Sequence, residues 1–430
     1  MPAADTKASP AVGDAAVVDR PSPSDHHSKL RPGGPGYRRM CLSLFAAGLA
    51  TFVLLYSTQA VLPALSHDLG VTPDQASWTV SGASIGLALA VLPLSVLSER
   101  FGRRRMIGCS LAVAVALGLL VPFAPNLTAL VALRVAQGVA VAGVPASAMA
   151  FLADEVNPRD LVGAVGLFVA GNSIGGMSGR ILTGWVTEAW GWRAGLASVA
   201  VASLVCALAY QALVPRARHF QPGSLRLAPV LATVRGHLSN GLLVRLYSLG
   251  LLFMTVFGAV YTVVGYRLVA EPFGLSQGVV GSVFVIYLVG TASSAGAGGL
   301  VARLGRRGAL YLGIGTASAG LLLTLFDQLL AVVAGLVLIT AGFFAGHAVA
   351  SSAVSRTATE GRAQASALYQ MAYYLGSSLG GALGALAYAG GGWPATVALT
   401  LTAMVLAAGV TVYATRKAVV SRRLAAVAAN

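Results

Sequence analysis

From Met40 to Tyr413 the chain alternates long apolar runs with short clusters of charge, proline and glycine. A helix that crosses a bilayer needs about 20 predominantly apolar residues. Twelve runs of that order are present, at roughly 40–62, 76–98, 106–124, 127–150, 162–187, 193–214, 241–266, 278–301, 309–327, 329–354, 364–389 and 393–414. The widest gap, 215–240, is polar and basic and divides the runs six and six. Residues 1–39 carry Pro, Ser, Asp and paired histidines without a long apolar stretch, which predicts a disordered tail. The pattern therefore predicts an all-α polytopic membrane protein: tail 1–39, a six-helix bundle 40–214, a linker 215–240, a second bundle 241–414 and a tail 415–430.

The two halves repeat each other. "GNSIGGMSG" at 171–179 aligns with "GSSLGGALG" at 376–384, its glycines and Ser173/Ser378 coinciding at an offset of 205 residues. "ERFGRRR" (99–105) aligns with "ARLGRRG" (302–308) at an offset of 203, and Trp192 has a counterpart in Trp393. Small residues recur by chance in membrane helices, but two motifs at nearly one offset imply two homologous bundles in parallel orientation, an architecture that holds substrate near the midplane between them.

Composition sharpens this picture. Hydrophobic residues make up 56% of the chain, charged residues 10%, and the mean hydropathy is +0.77; soluble domains carry about 25% charged residues. Lipid is the solvent these figures fit. Cations orient such a chain, since they accumulate on the cytoplasmic side. With the first tail inside, Arg193 and Arg267 fall at external connections, Arg134 and Arg180 fall inside spans, and all remaining Lys and Arg fall inside. Both termini are then cytoplasmic. The net charge of +15 reads as a topology signal rather than a nucleic-acid surface. Cys41, Cys109 and Cys206 are odd in number without CxxC spacing, so free thiols are expected, and His26-His27 reads as incidental. The first apolar run exceeds a signal-peptide core, so no cleavage is expected.

These motifs resemble those of the major facilitator superfamily over nearly all of residues 40–415, and most closely its bacterial YnfM-type, acriflavine-sensitivity branch. The signature G-x-L-a-D-R-x-G-R-[RK] stands here as Ser95 to Arg104, with Glu99 in place of Asp, followed in the second half by Gly298 and Gly305-Arg306-Arg307, with Ala302 at the acidic position. The signature l-x-x-x-R-x-x-Q-G is met by Leu130, Arg134, Gln137 and Gly138. The antiporter signature is partial: Gly171, Gly175 and Gly179 are present, while Gly176 replaces Pro and Arg180 replaces the last Gly. The resemblance implies twelve helices, alternating access, and a cavity lined by spans one, four, seven and ten.

Within that frame the candidate cavity residues are Phe52, Tyr56 and Gln59 in span one, Arg134 in span four, Arg180 in span five, Phe257 and Tyr261 in span seven, and His347 in span ten. Tyr369, Gln370, Tyr373 and Tyr374 are weaker contributors. Intramembrane arginines cost about 2.5–3.5 kcal/mol even on insertion scales and tend to be functional. No carboxylate lies deep in any span; Glu188 and Asp327 come nearest, at external helix ends. Each arginine either binds backbone carbonyls or meets an anionic, oxygen-rich substrate. Arg134, by resemblance, and His347, which titrates near neutrality, are the proton-coupling candidates. By resemblance again, Glu99 and Arg103 form a cytoplasmic latch, Glu99 facing the start of span eleven and Arg103 pairing with Asp154 or Glu155.

The function expected is secondary transport, with proton-coupled export of small organic molecules leading and uptake or facilitated transport of a sugar or small organic anion as the alternative. A receptor or intramembrane enzyme is a distant third, because neither an HExxH nor a phosphate-cradling loop is present. No cofactor and no metal site is expected; the partners are a small-molecule substrate, protons and the bilayer, for a monomer in the bacterial inner membrane.

Overall fold

The computed structural model describes residues 29–220 and 227–428, with side chains as far as Tyr413. The expectations for residues 1–28 and for the basic side chains beyond 413 lie outside the described residues.

Among the described residues, nine helical stretches are long and apolar enough to cross a membrane. Three of them are double: Leu161–Leu213, Gln277–Leu323 and Arg362–Tyr413 hold 53, 47 and 52 residues. At 1.5 Å per residue these would be more than twice as long as a bilayer core of about 30 Å is thick. Each is interrupted by non-helical glycine, at Gly191, Gly305 and Gly391-Gly392. The chain folds back there. Gly195 packs on Thr183 and Thr187, and Thr396 Oγ1 donates to the Gly384 carbonyl at 3.3 Å, contacts a straight helix forbids. Nine stretches with three reversals make the twelve spans.

Local chemistry explains the boundaries. Span two, Pro73–Phe101, starts on a capping box of Thr72 and Gln75 with proline in its first turn. It ends at Gly102, whose φ of +99° and ψ of 133° are open to glycine and strained for other residues. Gly305, its counterpart in the second half, has φ +69° and ψ 166°. The aligned motif thus makes the same turn twice.

The repeat is also visible in the packing. A Cβ added at Gly171, Gly175 or Gly179 would strike the backbone of Phe45, Leu49 or Val53 in span one. At Gly376, Gly380 and Gly384 it would strike the backbone of Leu251, Thr255 and Ala259 in span seven. Spans five and eleven therefore lie against spans one and seven at backbone contact, which glycine alone permits.

Two expectations about segment edges need correction. The first helix begins at Pro35, not Met40, and the residues before it are held: Leu30 donates its N–H to the Glu155 carbonyl (2.8 Å) and accepts from Asn157 N–H (3.0 Å). The linker contains a helix, Leu227–Ser239, whose His237 ring meets the Gly361 carbonyl at 3.1 Å.

The face bearing residues 99–105 is called the basic face below. The halves join away from it. Tyr266 shares a 2.6 Å hydrogen bond with Ser66 and donates to the Leu62 carbonyl at 3.1 Å; Glu188 accepts from Ser276 Oγ (2.7 Å) and Gly278 N–H (2.6 Å); Trp185 Nε1 donates to Ser282 Oγ (2.9 Å). Nearer the middle, Ser81 donates to the Ser378 carbonyl (3.1 Å), and the hydroxyls of Ser84 and Ser377 lie 3.2 Å apart.

Candidate functional site

Between the halves lies a cavity of about 800 Å³ that runs from Gln59 and Arg180 to Glu99, Arg103 and Arg362 at the basic face. Its first-half wall depends on a broken helix. Span one is helical over Pro35–Leu55, passes through Tyr56 and a 3₁₀ turn at Gln59–Val61, and resumes at Leu62–Leu69. A helix end in an apolar medium strands its last carbonyls, each a cost of several kcal/mol unless satisfied.

Arg134 satisfies them. Its guanidinium donates to the carbonyls of Leu54 (2.8 Å), Leu55 and Thr79 (3.0 Å), to Ser57 Oγ (3.4 Å) and to Gln137 Oε1. Gln137 in turn donates to the Ala114 carbonyl at 3.1 Å. Several charge-assisted bonds at about 1.5–3 kcal/mol each exceed the insertion cost of the cation. Arg134 is 0% exposed and does not line the cavity. Its expected place on the cavity wall is corrected: the break in span one draws the guanidinium into the bundle instead.

The same break leaves Tyr56 and Gln59 lining the cavity, where both meet Arg180. Arg180 Nε and Nη2 donate to Gln59 Oε1 at 2.8 and 2.6 Å, and Nη1 donates to the Gly176 carbonyl. The guanidinium carbon lies 4.5 Å from the Tyr56 ring centroid, 4.7 Å from Phe284 and 5.0 Å from Tyr287. These are cation–π distances. The arginine–carboxylate pairs among the described residues are Arg103 with Glu99 and Asp154, Arg193–Asp68 and Arg267–Asp327. None involves Arg180, which lines the cavity at 3% exposure with neutral partners only.

The second-half wall is aromatic. Phe257 stacks on Phe343 with centroids 4.1 Å apart and lies 5.3 Å from Tyr287 and 5.7 Å from Phe344. His347 lines the cavity, its Nδ1 3.0 Å from the Tyr369 hydroxyl and its ring 4.7 Å from Tyr373. Phe52, Gln370 and Tyr374 also line it. Tyr261 does not, a second correction. One turn beyond Phe257, it is packed at 1% exposure against Phe284 and Tyr287, and its hydroxyl bonds Thr340 at 2.6 Å.

At the cavity mouth Arg103 Nε lies 3.6 Å from Asp154, Nη2 lies 4.0 Å from Glu99, and Nη1 donates to Ser98 Oγ at 2.8 Å. Glu155 turns away from Arg103. Buried at 2% exposure, it accepts the N–H groups of Arg218 (2.7 Å) and His219 (2.9 Å) and contacts the His219 ring at 3.1 Å, tying the linker to span four. Sequence reasoning missed Phe284 and Tyr287 in span eight, which complete the aromatic surround of Arg180. Their spacing of three on one helical face carried the signal, but span eight stood outside the four expected to line the cavity.

Comparison with known proteins agrees with this architecture. The description of the Major Facilitator Superfamily matches residues 40–267 and 246–429. The chain is 38% identical over 393 residues to the inner membrane transport protein YnfM of Escherichia coli K12, covering 91% of this chain and 94% of that one. It is 36% identical over 379 residues to the transporter YybF of Bacillus subtilis 168, covering 88% and 94%. Among solved structures, the fold is similar to a bacterial homologue of the human lysosomal transporter Spinster (TM-score 0.72, 16% identity, 89% of this chain and 98% of that one). It is also similar to the nucleoside transporter NupG (TM-score 0.71, 14% identity, 87% and 99%).

Proposed function

The chain belongs to the major facilitator superfamily, and from that premise we propose that it carries small organic anions by alternating access. Membership makes it a membrane-spanning transporter with a small-molecule substrate. The anionic character of the cargo rests on one observation, the position of Arg180. A cation on the cavity wall among rings, partnered by a neutral amide, sits where low dielectric amplifies its attraction for negative charge. A carboxylate taking the place of Gln59 Oε1 exchanges a neutral acceptor for a charged one, whose hydrogen bonds are about twice as strong. A cationic drug finds no such partner, because Glu99 stands at the mouth beside Arg103.

The remaining roles follow from this reading. The basic face is cytoplasmic, with both termini on that side, and the cavity as described is open inward. Cargo loads from the cytoplasm and is exported in exchange for protons, with His347 as the proton-carrying group. Arg134 serves the cycle by holding the break of span one. Glu99, Arg103 and Asp154 form the latch that closes against the start of span eleven when the opposite side opens.

Transport into proteoliposomes carrying an internal pH dye tests the proposal, with organic anions, sugars and acriflavine-like cations as cargoes. Anions are expected to move and to collapse an imposed pH gradient. Arg180→Gln should lower the anion rate at least tenfold while remaining folded. His347→Gln should keep anion counterflow and lose the pH response. Movement of a cation with Arg180→Gln unaffected would overturn the anion reading.

A further inference from the structure

We propose that the cavity is built for aryl carboxylates, planar aromatic acids whose ring lies along the second-half wall and whose carboxylate meets Arg180 and the Tyr287 hydroxyl. The inference rests on the anion reading above and goes further by naming the chemistry of the other end of the cargo.

Three observations converge. The first is Tyr287, which lines the cavity at 7% exposure while its hydroxyl has no hydrogen-bond partner among the described residues. A buried hydroxyl without a partner carries a desolvation cost that a ligand oxygen removes. Tyr287 is also near both chemistries: its ring is 5.0 Å from the Arg180 guanidinium carbon and 5.3 Å from the Phe257 centroid. A carboxylate held by Arg180 and Tyr287 therefore has the Phe257 ring within reach of its substituent.

The second observation is the composition of the wall. The chain is rich in leucine, yet among the described residues no leucine or isoleucine lines the cavity. Its apolar surface comes from rings, with Val91, Val169, two methionines and small residues between them. A site for an aliphatic chain has no reason to exclude leucine and isoleucine. A site for a flat ring gains from aromatic neighbours, whose edge and face electrostatics favour another ring at 4.5–7 Å.

The third is the arrangement of those rings. Phe257 meets Phe344 edge-on (84°, 5.7 Å), and His347 clusters with Phe343 (5.9 Å) and Tyr373 (4.7 Å). Neighbouring rings of this wall thus meet both edge-on and stacked. At about 800 Å³ the cavity has room for a bicyclic acid.

The test uses the full chain in detergent micelles and three probes of similar size: 2-naphthoate, its saturated analogue decahydro-2-naphthoate, and the neutral 2-naphthamide. Equilibrium binding should favour 2-naphthoate about tenfold or more over each of the others. Tyr287→Phe should weaken 2-naphthoate about fivefold and 2-naphthamide by less, since a neutral amide oxygen accepts a weaker bond. Phe257→Leu, or Phe344→Leu where the first variant fails to fold, should erase the preference over the saturated acid and keep the preference over the amide. Equal binding of the saturated and aromatic acids overturns the inference and leaves the anion reading standing. Equal binding of 2-naphthamide and 2-naphthoate overturns both. Saturable binding of none of the three overturns the inference and leaves the anion reading to the transport panel.

Discussion

Two arginines placed in neighbouring spans have taken opposite parts. Arg134 is consumed by the protein itself, its donors spent on carbonyls that a helix break would strand. Arg180 is held by the Gln59 amide, the Gly176 carbonyl and three rings. Arg134→Leu should therefore destabilise the protein by about 3 kcal/mol, with Arg134→Lys close behind because an ammonium cannot fork over several acceptors. Thermal unfolding in detergent reads this directly. Arg180→Gln should unfold near the wild-type temperature, because its main partner is one cavity-lining amide. That both arginines matter was legible from their depth in the spans. Which of them faced the cavity was not, because it depends on the break at Tyr56. One local sign of the break is present, Pro63 in the first turn of the resumed helix, but the partner that makes the break tolerable lies some 80 residues away.

The repeated glycine pattern was the most readable element, and the structure gives each triad a mirror-like seam. In span five the glycines abut Phe45, Leu49 and Val53, and in span eleven they abut Leu251, Thr255 and Ala259. Gly175→Ala and Gly380→Ala should cost similar amounts, about 1–3 kcal/mol each, since both methyl groups fall on a backbone carbonyl. Gly166→Ala, in the same helix as Gly175 but with open space at its Cβ, should change stability by less than about 0.5 kcal/mol. A thermal-shift series over the three variants checks the contrast, and equal effects at Gly166 and Gly175 would remove the seam. The reversals at Gly191, Gly305 and Gly391-Gly392 were legible from turn residues and trailing tryptophans. The held segment before Pro35 was not, because Leu30 gains its place through a backbone pairing with residues 155–157 and packing on the folded core.

At the scale of the molecule, the halves are joined on one side and parted by the cavity on the other. If transport requires the joined side to open, a covalent staple there should stop it. The Ser84 and Ser377 hydroxyls are 3.2 Å apart, so Ser84→Cys with Ser377→Cys, in a chain freed of its native cysteines, should form a disulfide. Oxidised protein should lose net transport by at least tenfold and regain it on reduction; undiminished flux through the staple would sink the rocking mechanism. The twelve-span plan was legible because it is written in apolar run lengths. The cavity was legible only in part, because its chemistry comes from residues that depart from the repeat. The position matching Arg180 in the second half is Ala385, and the offsets of 203 and 205 bring Arg134 to Val337 or Ile339, both aliphatic. The scaffold is doubled and the charge is not. A cargo with one charged end and one flat end, on the reading given above, is consequently gripped in a single orientation. It cannot tumble during the crossing, so the same end faces the same half-molecule on arrival and on departure, and the transporter has in effect a head and a tail for whatever it moves.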